Sequence, residues 1–312
     1  MSTQEPIAAR PAPGTSPRFL ALFEPLRPEL YRYCRYLTRS PWDAEDLVQD
    51  ALARAFASLA SSAEPPDNPR AWLFRVASNL WLNRVAAKRE RMEAAPEPSV
   101  LGEERVTREA AGTLLVLLSP QERAAVVLKD AFDFSLEDIA EALETSIGAV
   151  KTALHRGRGK LVAPQPENTA SVHPQVLDEF CRAFNAGDLE RLTSLLLDDA
   201  IVEQPGIMIE RGAAAARAGT FRGTLEGCAE NDAKLGLSGA PRCEVRDYRG
   251  EPILIWFWGD TVRSLLRVDT HAGRISQIKN YFHSPELLEE ICAELGLPVR
   301  TNGHRPLTGA VS

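Results

Sequence analysis

The sequence predicts a multidomain protein in which an all-α amino-terminal half precedes an α+β carboxy-terminal half. Apolar residues recur every three or four positions through residues 20–161, which is the period of helices with one buried face. Short apolar runs separated by turn-forming residues fill residues 201–282, a pattern typical of strands. Two segments of linker composition, residues 93–111 and 163–172, divide the 312 residues into parts large enough for separate cores.

The first two helices are predicted over residues 20–37 and 41–59, each with a continuous apolar face. Three carboxylates, Asp43, Asp46 and Asp50, align on the far side of the second helix. Such a row most often marks only a solvated face, so the spacing alone does not identify a partner site.

A third helix is predicted over residues 70–92 and is apolar on two sides. Phe74 and Trp81 belong to its second apolar patch, beside a segment with six Lys or Arg against one Glu. Aromatic rings interleaved with cations suit unstacked bases and their phosphates. A central helix packed on both sides explains the pattern equally well, and the sequence leaves both interpretations open.

Residues 118–161 have the pattern of a helix-turn-helix. Pro120 suits a first helical turn, where its missing N–H costs no hydrogen bond. Ser135 and Asp138 have the spacing of a capping box, which predicts the start of a second helix. A third helix, from Ile147, carries four Lys or Arg and no acid. This helix is predicted to contact DNA, and a solvated helix at the end of a bundle is the alternative.

The carboxy-terminal half is predicted to form an α+β unit. One or two helices are expected over residues 173–197, followed by two short strands and a helix that ends near residue 225. Four strand-like runs between residues 242 and 282 precede a last helix over residues 284–295. Short connections between these runs predict a curved antiparallel sheet.

Composition excludes several classes of protein. The longest apolar run is too short to cross a bilayer, and residues 1–17 lack the apolar core of a signal peptide. These residues are predicted to form a disordered lead, and the protein is expected in the cytoplasm. Five cysteines show no zinc-ligand spacing, so free thiols are expected and neither a metal nor a cofactor is predicted. Although the net charge is −7, two basic segments still favour nucleic acid.

Three blocks in the first 162 residues together resemble the extracytoplasmic-function (ECF) group of bacterial RNA polymerase sigma factors. These blocks are DAEDLVQD at residues 43–50, PRAWLFRVASN at residues 69–79 with the basic run after it, and LSPQER at residues 118–123. The resemblance implies a region 2 helical bundle over residues 18–92 and a region 4 helix-turn-helix domain over residues 112–162.

The resemblance also implies three sets of contact residues. The set that contacts the coiled coil of the polymerase β′ subunit comprises Asp43, Asp46, Leu47, Gln49 and Asp50. The set that opens the −10 element comprises Arg75, Asn79, Asn83, Arg84 and Lys88, with residues 64–68 near the flipped-out base, and the aromatic pattern adds Phe74 and Trp81. The set that reads the −35 element comprises Lys151, Thr152, His155, Arg156 and Arg158. Asn83 stands where the family commonly has Asp, and Ala153 where it often has Arg.

Residues 173–283 resemble a SnoaL-like or NTF2-like cone, in which a curved sheet and helices surround a pocket. The resemblance rests on FCRAFNAGDL at residues 180–189, on residues 195–203 and on the terminal Tyr281-Phe282. It implies that this extension acts as a fused regulator whose pocket could hold a small ligand. A carboxy-terminal helix and tail follow over residues 284–312, and apolar residues up to Val299 are expected to anchor the tail on the first domain.

The leading interpretation is a sigma factor that performs no chemistry. It is expected to bind core polymerase through the β′ coiled coil and the β flap and to direct the polymerase to promoter DNA. No association with a membrane is expected. A one-component regulator with a helix-turn-helix and a ligand-binding cone is the alternative, but it leaves residues 43–50 unexplained. An isomerase or cyclase is a weaker third interpretation. Its candidate groups would be Glu203, Asp260, Tyr281 and His283.

Overall fold

The computed structural model describes residue 19 and residues 21–61, 66–94, 118–160, 174–227 and 241–301. The described residues form two compact units, one helical and one α+β. The expected lead, most of both linkers, the first residues of the loop expected near the flipped-out base, and the tail beyond residue 301 lie outside these ranges. Among the described helices, none combines the length and apolar content that a membrane span requires.

Three helices open the helical unit. A 3-10 turn over Glu24–Leu26 leads into α1 (Arg27–Thr38), which ends at Arg39 in the left-handed conformation with φ of 66°. Next come α2 (Pro41–Ser61) and α3 (Pro69–Ala94). Both begin with proline, as expected where a first-turn N–H would have no partner. The helices predicted from apolar periodicity are therefore confirmed, with ends that differ by a few residues.

Polar groups are buried inside this three-helix bundle as well as apolar ones. The Tyr33 hydroxyl lies 2.7 Å from Ser78 Oγ, which links α1 to α3. Arg27 donates to Glu45 at 2.5 Å, and Gln49 donates to the same carboxylate oxygen at 2.6 Å. Paired in this way, the buried charges avoid the cost of isolation. Burial also raises the pKa of the Tyr33 hydroxyl.

The helix-turn-helix is present as predicted, with α4 (Pro120–Asp130), α5 (Leu136–Ala142) and α6 (Ile147–Lys160). Ser135 Oγ accepts the Asp138 N–H at 2.9 Å and the Asp138 carboxylate reaches back, so the predicted capping box is confirmed. A second capping box starts α4. These caps satisfy N–H groups that a helix leaves unpaired in its first turn, which fixes where the helices begin.

The second unit begins with α7 (Pro174–Asn185) and α8 (Leu189–Ser194). Six strands and two further helices complete it. They are β1 (Leu196–Gln204), β2 (Met208–Arg211), α9 (Ala213–Ala216) with π-helical turns to Gly227, β3 (Pro241–Tyr248), β4 (Glu251–Trp258), β5 (Thr261–His271), β6 (Arg274–Asn280) and α10 (Pro285–Leu295). The predicted α+β architecture is confirmed.

The sheet is mixed, which corrects the expected all-antiparallel arrangement. Its order is β2-β1-β6-β5-β4-β3, and β1 pairs with β6 in parallel. The remaining neighbours are antiparallel, with tight turns at Arg249-Gly250 and Ala272-Gly273, where both residues have positive φ. The chain passes from β2, at one edge of the sheet, to β3, at the other edge. The antiparallel strands β3 to β6 then lead back across the sheet, so that β6 lies beside β1 and runs in the same direction. This long-range crossing makes β1 and β6 parallel.

Each face of the sheet has its own apolar layer. Phe180, Leu254 and Trp256 belong to a buried cluster on the face covered by α7. On β4 the intervening residues Ile253 and Ile255 are buried as well, and α10 packs on β5. The helix α10 is therefore part of the fold of this unit.

The tail that follows α10 pairs with its own sheet. The Val262 N–H donates to the Pro298 carbonyl at 2.8 Å, and the Arg300 N–H donates to the Val262 carbonyl at 3.2 Å. This edge of β5 is open because β6 pairs with β5 only from Leu266 onwards. The sequence predicts that the apolar residues up to Val299 anchor the tail on the first domain. In the structure Val299 instead pairs with β5 of the α+β unit, and the other apolar residues precede this pairing.

Candidate nucleic-acid interface

The candidate −35 residues share the exposed side of α6. Val150 and Leu154 are buried on the opposite side, towards α4 and α5. Gly157 permits the close approach of α6 to α4, since a Cβ there would lie 2.7 Å from Val126 Cγ2. The exposed side chains are Lys151, Thr152, His155, Arg156 and Arg158. A cationic helix held in this way can enter a major groove.

Two of these five side chains have defined partners. Arg158 Nε donates to Asp130 Oδ2 at 3.1 Å, and a second contact joins the same two groups. This hydrogen bonding raises the pKa of the Arg158 guanidinium. Thr152 Oγ1 donates to the Gly148 carbonyl at 2.9 Å. In the described part of the chain, Lys151, His155 and Arg156 have no ion-pair partner, so these three side chains are available to a ligand.

Three of the five polar −10 candidates on α3 pair with carboxylates. Arg75 Nη1 donates to Glu141 Oε1 of α5 at 2.9 Å, and Asn79 Nδ2 donates to Glu144 Oε1 at 2.6 Å. Arg84 pairs with Asp50 of α2. Asn83 and Lys88, further along α3, are exposed.

Phe74 and Trp81 are buried, so in this arrangement neither ring can stack on a base. The Phe74 ring centroid lies 4.9 Å from that of Tyr33, 5.5 Å from that of Phe132 and 5.2 Å from that of Phe134. The Arg123 guanidinium lies 5.5 Å from the centre of the Trp81 ring. The structure therefore shows the two-sided packing that the sequence left open, and neither of these two rings offers an exposed platform.

The contact between the first three helices and the helix-turn-helix has a polar component as well. Arg70 Nε donates to Glu29 at 3.0 Å, and Arg70 Nη2 donates to the Phe132 carbonyl at 3.0 Å. Its guanidinium also lies 4.2 Å from the centre of the Phe134 ring. Arg123 donates to the Leu37 carbonyl at 2.6 Å. We call this set of contacts, with the aromatic cluster around Phe74, the region 2–4 joint.

The predicted polymerase-contact set divides into exposed and buried members. Asp43 and Asp50 are exposed and Asp46 is half-buried. Leu47 is fully buried and Gln49 is 5 % exposed, because both lie on the side of α2 that faces the bundle. Leu47 and Gln49 therefore support the helix and, in this arrangement, cannot touch a partner.

Sequence reasoning missed the residues between α4 and α6 that cover α3. Phe132, Glu141 and Glu144 contact residues that lie 62 to 66 positions earlier in the chain. A local pattern predicts which face of a helix is apolar but not which distant segment covers it. The second apolar patch of α3 was the one local sign of such a cover.

A small cavity lies among the aromatic rings inside the α+β unit. Phe180, Phe184, Phe221 and Trp256 surround a cavity of about 20 Å³, which has room for roughly one water molecule. The four groups considered for catalysis, Glu203, Asp260, Tyr281 and His283, do not line this cavity. No group of three or more metal-ligating side chains occurs among the described residues.

Known proteins similar to this chain include sigma factors. The family model "Sigma-70 region 2" matches residues 22–91, and "Sigma-70, region 4" matches residues 108–161. The chain is 34 % identical over 137 residues to the RNA polymerase sigma-E factor of Streptomyces coelicolor, covering 42 % of this chain and 77 % of that protein. It is 31 % identical over 227 residues to the ECF RNA polymerase sigma factor SigG of Mycobacterium tuberculosis, covering 60 % of this chain and 61 % of that protein.

The SigG alignment thus spans about three fifths of that relative. Among solved structures, the ECF sigma factor SigJ of Mycobacterium tuberculosis is 23 % identical with a TM-score of 0.34, over 86 % of this chain and 98 % of that chain.

Proposed function

Because the chain belongs to the ECF family of RNA polymerase sigma factors, we propose that it binds core RNA polymerase and directs it to promoters with −10 and −35 elements. The observation that carries the proposal is the exposed cationic side of α6, on which all five candidate −35 residues lie. Such a factor acts in the cytoplasm, where the polymerase is, and it needs no catalytic group. Its partners are the polymerase β′ coiled coil, the β flap and promoter DNA.

The polymerase-binding surface in this proposal is the acidic side of α2. Asp43, Asp46 and Asp50 remain candidates because they lie off the buried stripe of that helix. Leu47 and Gln49 contribute by holding the helix in the bundle. The −10 surface is the side of α3 that carries Arg75, Asn79, Asn83, Arg84 and Lys88.

Two assays on the purified full chain test this function. Core polymerase should retain the chain in a pull-down, and the resulting complex should start transcripts at defined sites in a run-off assay. Transcript sequencing after overexpression should then reveal a shared upstream motif in two parts. If the chain binds DNA without polymerase and leaves run-off transcription unchanged, the one-component regulator is the better description.

Arg156 is expected to make a base contact in the −35 element. Arg156→Ala should weaken promoter binding by about 1 to 3 kcal/mol and relax the preference at one position of the element. Binding of the polymerase complex to a set of −35 point variants measures both effects. Arg182→Ala, which removes an exposed cation of α7, is the control. A loss that is uniform over all sequences would make Arg156 a phosphate contact.

Glu141 and Glu144 are expected to compete with DNA for Arg75 and Asn79. Removing both carboxylates, by Glu141→Ala with Glu144→Ala, should strengthen binding of a single-stranded −10 oligonucleotide to the free chain. The gain should be about twofold to thirtyfold, because exposed pairs of this kind contribute roughly 0.2 to 1 kcal/mol each, or about 0.4 to 2 kcal/mol together. Fluorescence anisotropy measures the affinity. Glu137→Ala changes an exposed acid of the same helix, and equal binding by the two variants would contradict the competition.

The α+β unit is proposed to act as a fused regulator of the sigma part. A tethered domain is present at high effective concentration, so even a weak contact can shift the balance between arrangements of the sigma part. The cavity around Phe180 and Trp256 is too small for a metabolite, so it gives no support to a metabolite signal.

Truncation tests this regulatory role. Because α10 is part of the fold of the α+β unit, a control truncation has to retain this helix. A chain that ends at residue 161 should differ from the full chain in run-off transcription by about twofold or more, if a tethered contact shifts the equilibrium. A chain that ends at Thr301 keeps α10 and the strand pairing of Val299, and is the folded control. A cut after Phe282 is unsuitable because it removes Leu288 and Ile291, which are buried in the unit. Equal activity of full and truncated chains at matched concentration would leave the unit without a regulatory role.

A further inference from the structure

Two thiols meet inside the α+β unit. The Sγ atoms of Cys181 on α7 and Cys243 on β3 are 3.6 Å apart, and the two residues are 62 positions apart in the chain. The other described cysteines, Cys34 and Cys292, are free and buried on α1 and α10. A close pair of free thiols between a helix and a strand is not required for packing, because an apolar side chain would fill the same space.

The main chain around this pair is already fixed. Asn185, one helical turn after Cys181, binds the backbone of Cys243 through both the oxygen and the nitrogen of its side-chain amide. The Cys243 N–H donates to Asn185 Oδ1 at 2.6 Å, and Asn185 Nδ2 donates to the Cys243 carbonyl at 3.0 Å. A disulfide has an S–S distance of about 2.05 Å, so side-chain rotation has to close a gap of about 1.6 Å.

The two cysteines differ in their exposure to solvent. Cys181 is 8 % exposed and Cys243 is 1 % exposed, and Cys243 lines the small cavity. The hydrogen bond with Cys181 and burial together raise the pKa of the Cys243 thiol. Cys243 therefore stays protonated, and Cys181, the more exposed of the two, is the sulfur that an oxidant reaches first.

We propose that Cys181 and Cys243 form an oxidisable dithiol, a modification site at which a hydroperoxide converts the two thiols into a disulfide between α7 and β3. In the first step, with hydrogen peroxide as the hydroperoxide, the Cys181 sulfur attacks one peroxide oxygen, the O–O bond breaks, the Cys181 proton passes to the departing oxygen, and a sulfenic acid and one water form. In the second step, the Cys243 sulfur attacks the sulfenic sulfur, the S–S bond forms, and a second water leaves with the Cys243 proton. One hydroperoxide is reduced by two electrons, and two thiols are oxidised.

The disulfide would constrain this unit strongly. It closes a loop that contains α8, β1, β2 and α9, and a long closed loop lowers the entropy of the unfolded chain. The melting temperature of the oxidised protein should therefore rise by about 5 °C or more. Because both thiols are buried, the reaction should be slow, and cellular reductants should reverse it once the oxidant is removed.

The test uses the full chain and hydrogen peroxide. Reduced protein is treated with excess peroxide, the remaining thiols are alkylated under denaturing conditions, and the protein is analysed by intact mass and by peptide mapping. The proposal expects three alkylated cysteines out of the five in the sequence, and a cross-linked peptide pair that contains Cys181 and Cys243. Dithiothreitol should restore five alkylated cysteines and the lower melting temperature.

Alanine variants of single cysteines distinguish a cross-link of this pair from one that involves other thiols. Cys181→Ala should abolish the cross-link, whereas Cys34→Ala and Cys292→Ala should retain it. If Cys181→Ala does not fold, the peptide map of the wild-type chain decides by itself. Five unreacted cysteines after prolonged treatment, a cross-link that involves a different pair, or conversion of Cys181 to sulfinic acid without a cross-link would each overturn the proposal.

Discussion

Reversing two charges on α2, by Asp46→Lys with Asp50→Lys, is expected to abolish binding to core polymerase while the chain remains folded. Both residues lie off the buried stripe of α2, which contains Leu47. A charge removed from an interface pair costs about 2 to 5 kcal/mol, so two reversals should weaken binding by roughly a hundredfold or more. Pull-down with core polymerase and surface plasmon resonance measure the loss, and circular dichroism checks the fold.

Asp50 also pairs with Arg84, so the result needs a control for that ion pair. Arg84→Ala removes the pair without reversing a carboxylate and should leave polymerase binding largely intact. Glu137→Lys reverses an exposed carboxylate on α5 and controls for a charge reversal outside the proposed interface. Normal polymerase retention by the double variant would remove the acidic side of α2 from the proposed interface.

Replacement of Phe74 by alanine is expected to give the largest change in stability. The ring is fully buried and contacts the rings of Tyr33, Phe132 and Phe134. Truncation of such a residue costs about 3 to 5 kcal/mol, since the lost apolar contacts leave a cavity. Urea denaturation of the full chain should show a lower midpoint, and the region 2–4 joint should open together with it.

A neighbouring aromatic residue provides the comparison. Tyr36 lies 6.3 Å from the Phe132 ring but is 47 % exposed, so Tyr36→Ala should cost far less. The opposite result is equally informative. If Phe74→Ala leaves the unfolding midpoint unchanged and instead slows promoter opening, then Phe74 stacks on melted DNA in the active complex and is not a core residue.

Local sequence predicted the elements that local interactions build. The capping box at Ser135 needs only two side chains and the backbone N–H groups three residues away, so its spacing in the sequence was sufficient. The exposed side of α6 followed from the 3.6-residue period for the same reason. The tight turn at Ala272-Gly273 joins two strands that were predicted from their apolar runs.

Long-range packing decided the rest of the site. Phe74 and Trp81 had the composition of a base-stacking patch, but their role depends on whether another segment covers them. For Phe74 that segment is the turn before α5, and no periodic pattern links Phe74 to Phe134, 60 positions later. The burial of Gln49 against Glu45 likewise depends on Arg27 from another helix.

Residues a few positions apart were enough to predict the helices, the strands, their caps and the exposed basic side of α6. Tertiary contacts were needed to establish that β1 and β6 run parallel, that Val299 pairs with β5, and that Glu141 and Glu144 bind Arg75 and Asn79. Those contacts join segments tens of residues apart. Their geometry is set by which apolar faces remain uncovered after the local elements have formed. These faces compete with one another for packing partners, and that competition involves the whole chain.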